Sequence, residues 1–165
     1  PLGDLDEKRL KKLSLKELDL VKGGVREIHN LAIDGIGNFP LTIEKAWQAD
    51  FHTTFRKVFV RILQFKSPEE TERFWLELSE ASTKEISRSI QINLGDGAHW
   101  YFRHDDFAGV MWYRDRWFTF IDVEAASLGE KHRVWFEAEN LRGRVIEEME
   151  SFYTTYDPEE IHLGN

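Results

Sequence analysis

The chain has 165 residues, a net charge of -8, 22 aromatic residues and no cysteine. That length suits one domain with an adequate core. Absence of cysteine excludes disulfides, thiolate metal sites and cysteine nucleophiles, a hydrophobic content of 41% excludes wholesale disorder, and the acidic excess argues against a general phosphate-backbone binder.

No apolar run approaches the ~20 residues that span a bilayer. The first 20 residues are charged and amphipathic, unlike a signal peptide. Glutamine and asparagine are scarce beside many Glu, Lys and Arg, a balance that leans toward a thermophilic source.

The first 24 residues have helical spacing. Ser14 and Glu17 fit a capping box, Leu15 and Leu18 form an apolar stripe, and Gly23-Gly24 read as a helix stop. Residues 25–50 read as irregular, punctuated by Gly35, Gly37 and Pro40, with Ile43 to Phe51 as a short helix or strand. From Thr54 to Phe65, Val58, Val60 and Ile62 fall on one side and Phe59, Leu63 and Phe65 on the other, beside Arg61. Apolar residues on both sides predict a central strand covered on both faces.

Ser67 as N-cap, Pro68 at the first helical position and Glu70 open a helix over about 68–83. Residues 89–124 then read as four antiparallel strands, turned at Gly95-Asp96-Gly97, at His104-Asp105-Asp106 and at Asp115. The spacings are too short for parallel crossovers. A long helix follows, with Val134, Ala138, Leu141, Val145, Met149, Phe152 and Tyr156 at steps of three or four, ended by Asp157-Pro158.

This order predicts an α+β fold: an antiparallel sheet of about five strands packed by helices, with an N-terminal helical arm. The expected divisions are a helical or irregular arm over 1–50, the α+β sandwich over 51–157, and an acidic tail over 158–165.

Few constellations point to chemistry. Asp96, His99, His104, Asp105 and Asp106 are dense, but on a strand His99 and His104 face opposite ways, and the aspartates suit hairpin turns. No metal site is expected there. Asp50 and His52 lack a recognisable nucleophile, and Gly35-x-Gly37 lacks the third glycine of a phosphate cradle. No catalytic motif and no cofactor signature is found.

The aromatic density is more informative. Residues 100–120 hold Trp100, Tyr101, Phe102, Phe107, Trp112, Tyr113, Trp117, Phe118 and Phe120. Cross-strand core packing is the ordinary use of such a set. A recognition surface is the functional one, since mixtures of Tyr and Arg favour binding. Its candidates are Arg61, His99, Tyr101, Arg103 and Tyr113. A nucleic-acid stacking platform would need basic surroundings, which the net charge disfavours. The charge is uneven, however: Glu137 to Asn165 holds eight acidic and two basic residues, so the sheet is nearly neutral.

Phe65-Lys66-Ser67-Pro68-Glu69-Glu70, Ile92-x-Leu94-Gly95-Asp96 and Met111-Trp112-Tyr113-Arg114-Asp115-Arg116-Trp117 form a pattern over roughly residues 54–156. It resembles small prokaryotic extracytoplasmic or lipoprotein-type α+β domains, with Asp115 where glycine is commoner. The resemblance implies a non-catalytic binding or accessory role outside the cytoplasm. The leading expectation is therefore a non-enzymatic binding module, the soluble part of a membrane-anchored prokaryotic protein, taking a protein partner or a small ligand. The alternative is a small-molecule sensor or small enzyme with a pocket between sheet and helix, using His99, Tyr101 and Arg103. A third is an interaction subunit that docks through its N-terminal helix.

Overall fold

A computed structural model of the chain describes residues 4–28, 43–53, 55–85, 90–94, 97–104, 107–125 and 131–155. Helix α1 (Glu7–Lys11) and a 3-10 turn (Lys16–Leu18) precede strands β1 (Val21–Glu27), β2 (Ile43–His52) and β3 (Arg56–Phe65). Helix α2 (Pro68–Glu85) leads to β4 (Ile90–Leu94), β5 (Gly97–His104), β6 (Phe107–Arg114) and β7 (Trp117–Ala125), and α3 (Lys131–Thr155) follows.

The strands form one seven-stranded sheet in the order β1-β2-β3-β7-β6-β5-β4, and every pair is antiparallel. The fold is α+β, as the pattern predicts, with two strands more than expected. The topology follows from connection lengths. α2 carries the chain from β3 to the far edge, and the β4–β7 meander returns strand by strand until β7 pairs with β3. Ser67 caps α2 as expected: its Oγ accepts from the Glu70 N–H at 3.2 Å.

Alternation along the strands gives the sheet two apolar faces. Val58, Val60 and Ile62 of β3 lie on one face with Trp47, Ala49, Phe51, Val110, Trp112, Trp117, Ile121 and Val123. α3 covers this face through Ala138, Leu141, Val145, Met149, Phe152 and Tyr153. On the other face Leu63 and Phe65 join Ala46, Trp100, Met111 and Phe118 under Phe74, Trp75 and Leu78 of α2. β3 is thus a central strand covered on both sides.

The first 50 residues differ from the expectation. α1 is only five residues long, and its cap is Asp6, whose Oδ1 accepts from the Arg9 N–H at 2.7 Å. Ser14 and Glu17 do not form a capping box; the turn at Lys16–Leu18 has no side-chain cap. Gly23 and Gly24 do not stop a helix but lie within β1, at a break in register against β2. A Cβ on Gly23 would sit 3.3 Å from the His52 ring and 3.5 Å from the Asp50 carbonyl, so the glycine permits a close approach at the bulge. Residues 43–51, open between helix and strand in the sequence, are strand. Gly35, Gly37 and Pro40 lie outside the described residues.

The leading segment is also tied down. Leu5, Leu10, Leu13, Leu15, Leu18 and Leu20 are all buried in the α3-side core. Lys22 of β1 donates from Nζ to the carbonyls of Leu10 (2.7 Å), Lys11 (2.9 Å) and Leu13 (2.6 Å), closing the C-terminal end of α1. Fully buried Gln64 accepts from the Leu5 N–H at 2.6 Å and donates to Glu44 at 2.9 Å. Arg116 donates to the Phe65 carbonyl and to Glu44, both at 3.0 Å, with Asp4 at 3.5 Å. These leucines are core, so they offer no apolar stripe for a partner.

Candidate functional site: the strip between the sheet and α3

The five residues singled out in the sequence do not share one surface. His99 and Tyr101 lie on the α3 side of β5, and Tyr101 packs against that core. Tyr113 lies on the other face, stacked at 6.5 Å on Phe118 and 5.7 Å from Trp75 of α2. Arg61 shares Tyr113's face, where its Nε donates to Gln48 Oε1 at 3.0 Å and Gln48 in turn donates to Asp50 at 2.7 Å. The sheet itself separates Tyr101 from Tyr113 and Arg61. The backbone of Arg103 pairs with Ala108, and its side chain lies outside the described residues.

The α3 side carries the richer chemistry. A transverse row crosses the sheet there: Trp47 pairs with Ile62, Ile62 with Thr119 and Thr119 with Trp112. His99 of the next strand stacks on Trp112 at 4.8 Å and 30°. Tyr153 descends from α3, with its ring 6.2 Å from Trp112 and 5.4 Å edge-on from Trp117. The steps of three and four along α3 turn Met149 and Tyr153 toward the sheet.

The polar atoms of this row are not satisfied by the protein. Among the described residues, the buried indole nitrogens of Trp47, Trp112 and Trp117, Thr119 Oγ1, Tyr153 Oη and both nitrogens of His99 have no hydrogen-bond partner. On the other face, among the described residues, Trp100 Nε1 alone shares that condition. Most buried polar groups in folded proteins are paired, because leaving one unmade costs roughly 1–3 kcal/mol.

Charge enters at the border of the row. His99 Nε2 lies 3.8 Å from Glu150 Oε1, and Glu150 Oε2 lies 3.4 Å from Arg114. The Glu150 carboxylate favours a charged imidazole, but 3.8 Å is too long for a hydrogen bond, and burial dominates. Desolvation holds the His99 pKa below its ordinary value, so the ring is neutral at pH 7 and its contact with Glu150 is no ion pair. Burial raises the Tyr153 pKa well above the ordinary range, with Glu150 pushing the same way and Arg114 opposing. Burial also raises Tyr101, against the pull of Arg142. The Arg142 guanidinium sits over the Tyr101 ring at 4.7 Å and donates to the Gly109 carbonyl at 3.0 Å.

Indole N–H groups donate and do not accept or transfer protons. Among the described residues, no group of three His, Asp or Glu side chains comes together as a metal would require. Asp96, Asp105 and Asp106 lie outside the described residues, as does the His104 side chain. Asp50 and His52 stand on exposed or half-buried positions of β2, with Asp50 bonded to Gln48. Among the described residues, no helix is long and apolar enough to cross a membrane.

Sequence reasoning found His99 and Tyr101 but missed Trp47, Trp112, Thr119, Glu150 and Tyr153 as their companions. One legible signal was the spacing of Glu150 and Tyr153, which places both on adjoining faces of one helical turn. The row across five strands depends on register, which no local pattern states.

No protein-family model and no curated protein matches the chain. Among solved structures, the chain is similar to the crystal structure of a GTP binding regulator from Thermotoga maritima. The TM-score is 0.50 at 17% identity, over 91% of this chain and 85% of the other. At that identity the likeness concerns the fold alone.

Proposed function

We propose that this domain is a non-enzymatic binding module whose ligand site lies at the margin of the α3 cover, beside His99 and Tyr101. The observation that carries this reading is the meeting there of half-buried Tyr101, lying under the Arg142 guanidinium, with His99 and the partly exposed Glu150. Neither nitrogen of His99 has a hydrogen-bond partner there, a cost that a ligand at the margin would relieve. Donor-only indoles beside a neutral imidazole suit binding more than proton transfer. The protein of similar fold is named as a GTP binding regulator, which is in keeping with a binding or regulatory role at the level of fold analogy.

Tryptophan emission supplies the test, since Trp112 and Trp117 flank the strip. A small-molecule panel is screened by thermal shift, and hits are titrated by fluorescence. A ligand of this site binds wild type and Arg61→Ala equally but loses affinity in Tyr101→Leu, which removes the ring under Arg142 and keeps an apolar side chain. Loss in Arg61→Ala with no change in Tyr101→Leu moves the site to the opposite face and defeats the reading.

A further inference from the structure

We infer that this chain pairs with a second copy of itself through the open edge of β1, joining the two sheets into one across a two-fold axis at Val25. The inference is independent of the ligand site proposed above. Among the described residues β1 is an edge of the sheet, with β2 its one neighbour. Val21, Gly23, Gly24, Arg26 and Glu27 are exposed, and Lys22 and Val25 are half-buried. The Ile28 N–H donates to the Ala46 carbonyl at 2.8 Å. Antiparallel bonding alternates, so Arg26 also bonds toward β2 while Val25 turns its N–H and C=O to the open edge. Such an edge is a template for another strand.

The first argument is that two usual guards are turned away from this edge. Lysine commonly blunts an edge strand, but Lys22 Nζ is bound back onto the carbonyls of Leu10, Lys11 and Leu13. A bulge also protects edges, but this one lies at Gly23. Beyond it Gly24, Val25, Arg26 and Glu27 pair with Asp50, Ala49, Gln48 and Trp47 without a break.

The second argument is Gly24. Gly23 has an internal reason to lack a side chain, since a Cβ there would crowd the His52 ring. Gly24 has none, because a Cβ on it would meet no atom within 4 Å. Glycine inside a strand weakens it and often marks the close approach of another chain.

The third argument is register and charge. With Val25 opposite Val25 of the second copy, Arg26 falls opposite Gly24 of that copy. Gly24 pairs with Asp50 and Arg26 with Gln48, so Arg26 and Asp50 of the second copy share one sheet face. They lie two strand spacings apart, about 10 Å. An extended arginine crosses the bare glycine and meets the carboxylate in a charge-assisted pair. The two-fold axis makes this pair twice. Sliding the strands until Arg26 faces Arg26 instead sets like charges together. This reciprocity of Arg26, Gly24 and Asp50 selects a second copy as the occupant of the edge.

The test is sedimentation velocity on the full chain, from about 5 µM to about 500 µM, where wild type is expected to pass from monomer to dimer. Val25→Pro removes the outward N–H and no bond to β2, and proline is tolerated at such edge positions. Gly24→Val puts a side chain in the path of Arg26 while meeting nothing in its own chain. Each variant should weaken dimerisation about tenfold or more, with unchanged circular dichroism and thermal melts at the lowest concentration. If Val25→Pro melts early, Gly24→Val decides the question. Arg26→Glu should also weaken the dimer, and adding Asp50→Arg to it should restore the dimer by reversing both charges. A wild type that stays monomeric throughout overturns the proposal and leaves the edge to a strand from another protein. A dimer that Val25→Pro and Gly24→Val leave unchanged overturns it by placing the contact on another surface. Failure of the double charge reversal to recover the dimer overturns the register at Val25.

Discussion

Leu15→Ala tests whether the leading segment is core or appendage. Leu15 is 1% exposed, in the same cluster as Leu5, Leu10, Leu13, Leu18 and Leu20. Burying one leucine side chain contributes roughly 1.5–3 kcal/mol. The six together contribute on the order of 9–18 kcal/mol before chain entropy, against a net stability of about 5–15 kcal/mol for a whole domain. A single truncation also leaves a cavity, so Leu15→Ala should cost about 3 kcal/mol. For a chain of this size that lowers Tm by about 6–12 °C. Urea denaturation followed by circular dichroism measures it, with an unchanged m-value showing that the denatured state is not the cause. Deletion of residues 1–20 should leave no cooperative transition. A loss below about 0.5 kcal/mol for Leu15→Ala, typical of surface positions, or a folded deletion variant, would refute the packing argument.

Other expectations follow from single contacts. Lys22→Met keeps the stem but removes three charge-assisted bonds to the Leu10, Lys11 and Leu13 carbonyls; a loss of about 1–3 kcal/mol is expected by denaturant titration. Tyr153→Phe deletes an unpaired buried hydroxyl, so stability should hold or rise by up to about 1 kcal/mol, and a loss above that would reveal an acceptor for it. Burial lowers the His99 pKa in the folded state. The unfolded chain then binds more protons as pH falls below about 6.5, so stability declines through that range, and His99→Phe should flatten the decline. A steeper loss in the variant would mean that the Glu150 contact dominates. Asp115 has φ 55° in the β6–β7 turn; both Asp115→Ala and Asp115→Gly remove the side chain, and Asp115→Ala should cost about 1 kcal/mol more than Asp115→Gly, by thermal melts.

Much of the architecture could be read from local pattern. Ser67 and Pro68 announce α2 because capping needs only neighbours in sequence. The four strands β4–β7 and α3 follow from alternation and helical spacing. The two-sided apolar pattern of β3 identifies a central strand, and two cores meet it. Local pattern failed where tertiary contact overrides propensity. Gly23-Gly24 reads as a helix stop, yet pairing with β2 makes it a bulge in an edge strand. The leucines of residues 5–20 have helical spacing, yet only part of the segment is helical, because the sheet face they cover sets their placement.

The candidate site divides in the same way. Parity along β5 placed His99 and Tyr101 together and apart from Trp100, since successive side chains on a strand must alternate. It could not say that Tyr113 and Arg61 would lie across the sheet from them, because that depends on the register between strands. Local pattern alone specifies the α+β class, the meander and the concentration of aromatics on it. Which aromatics share a face, and that Glu150 meets His99 and Tyr153 meets Trp112, follows from packing alone, since those meetings join residues about 40–50 positions apart through strand register and helix packing.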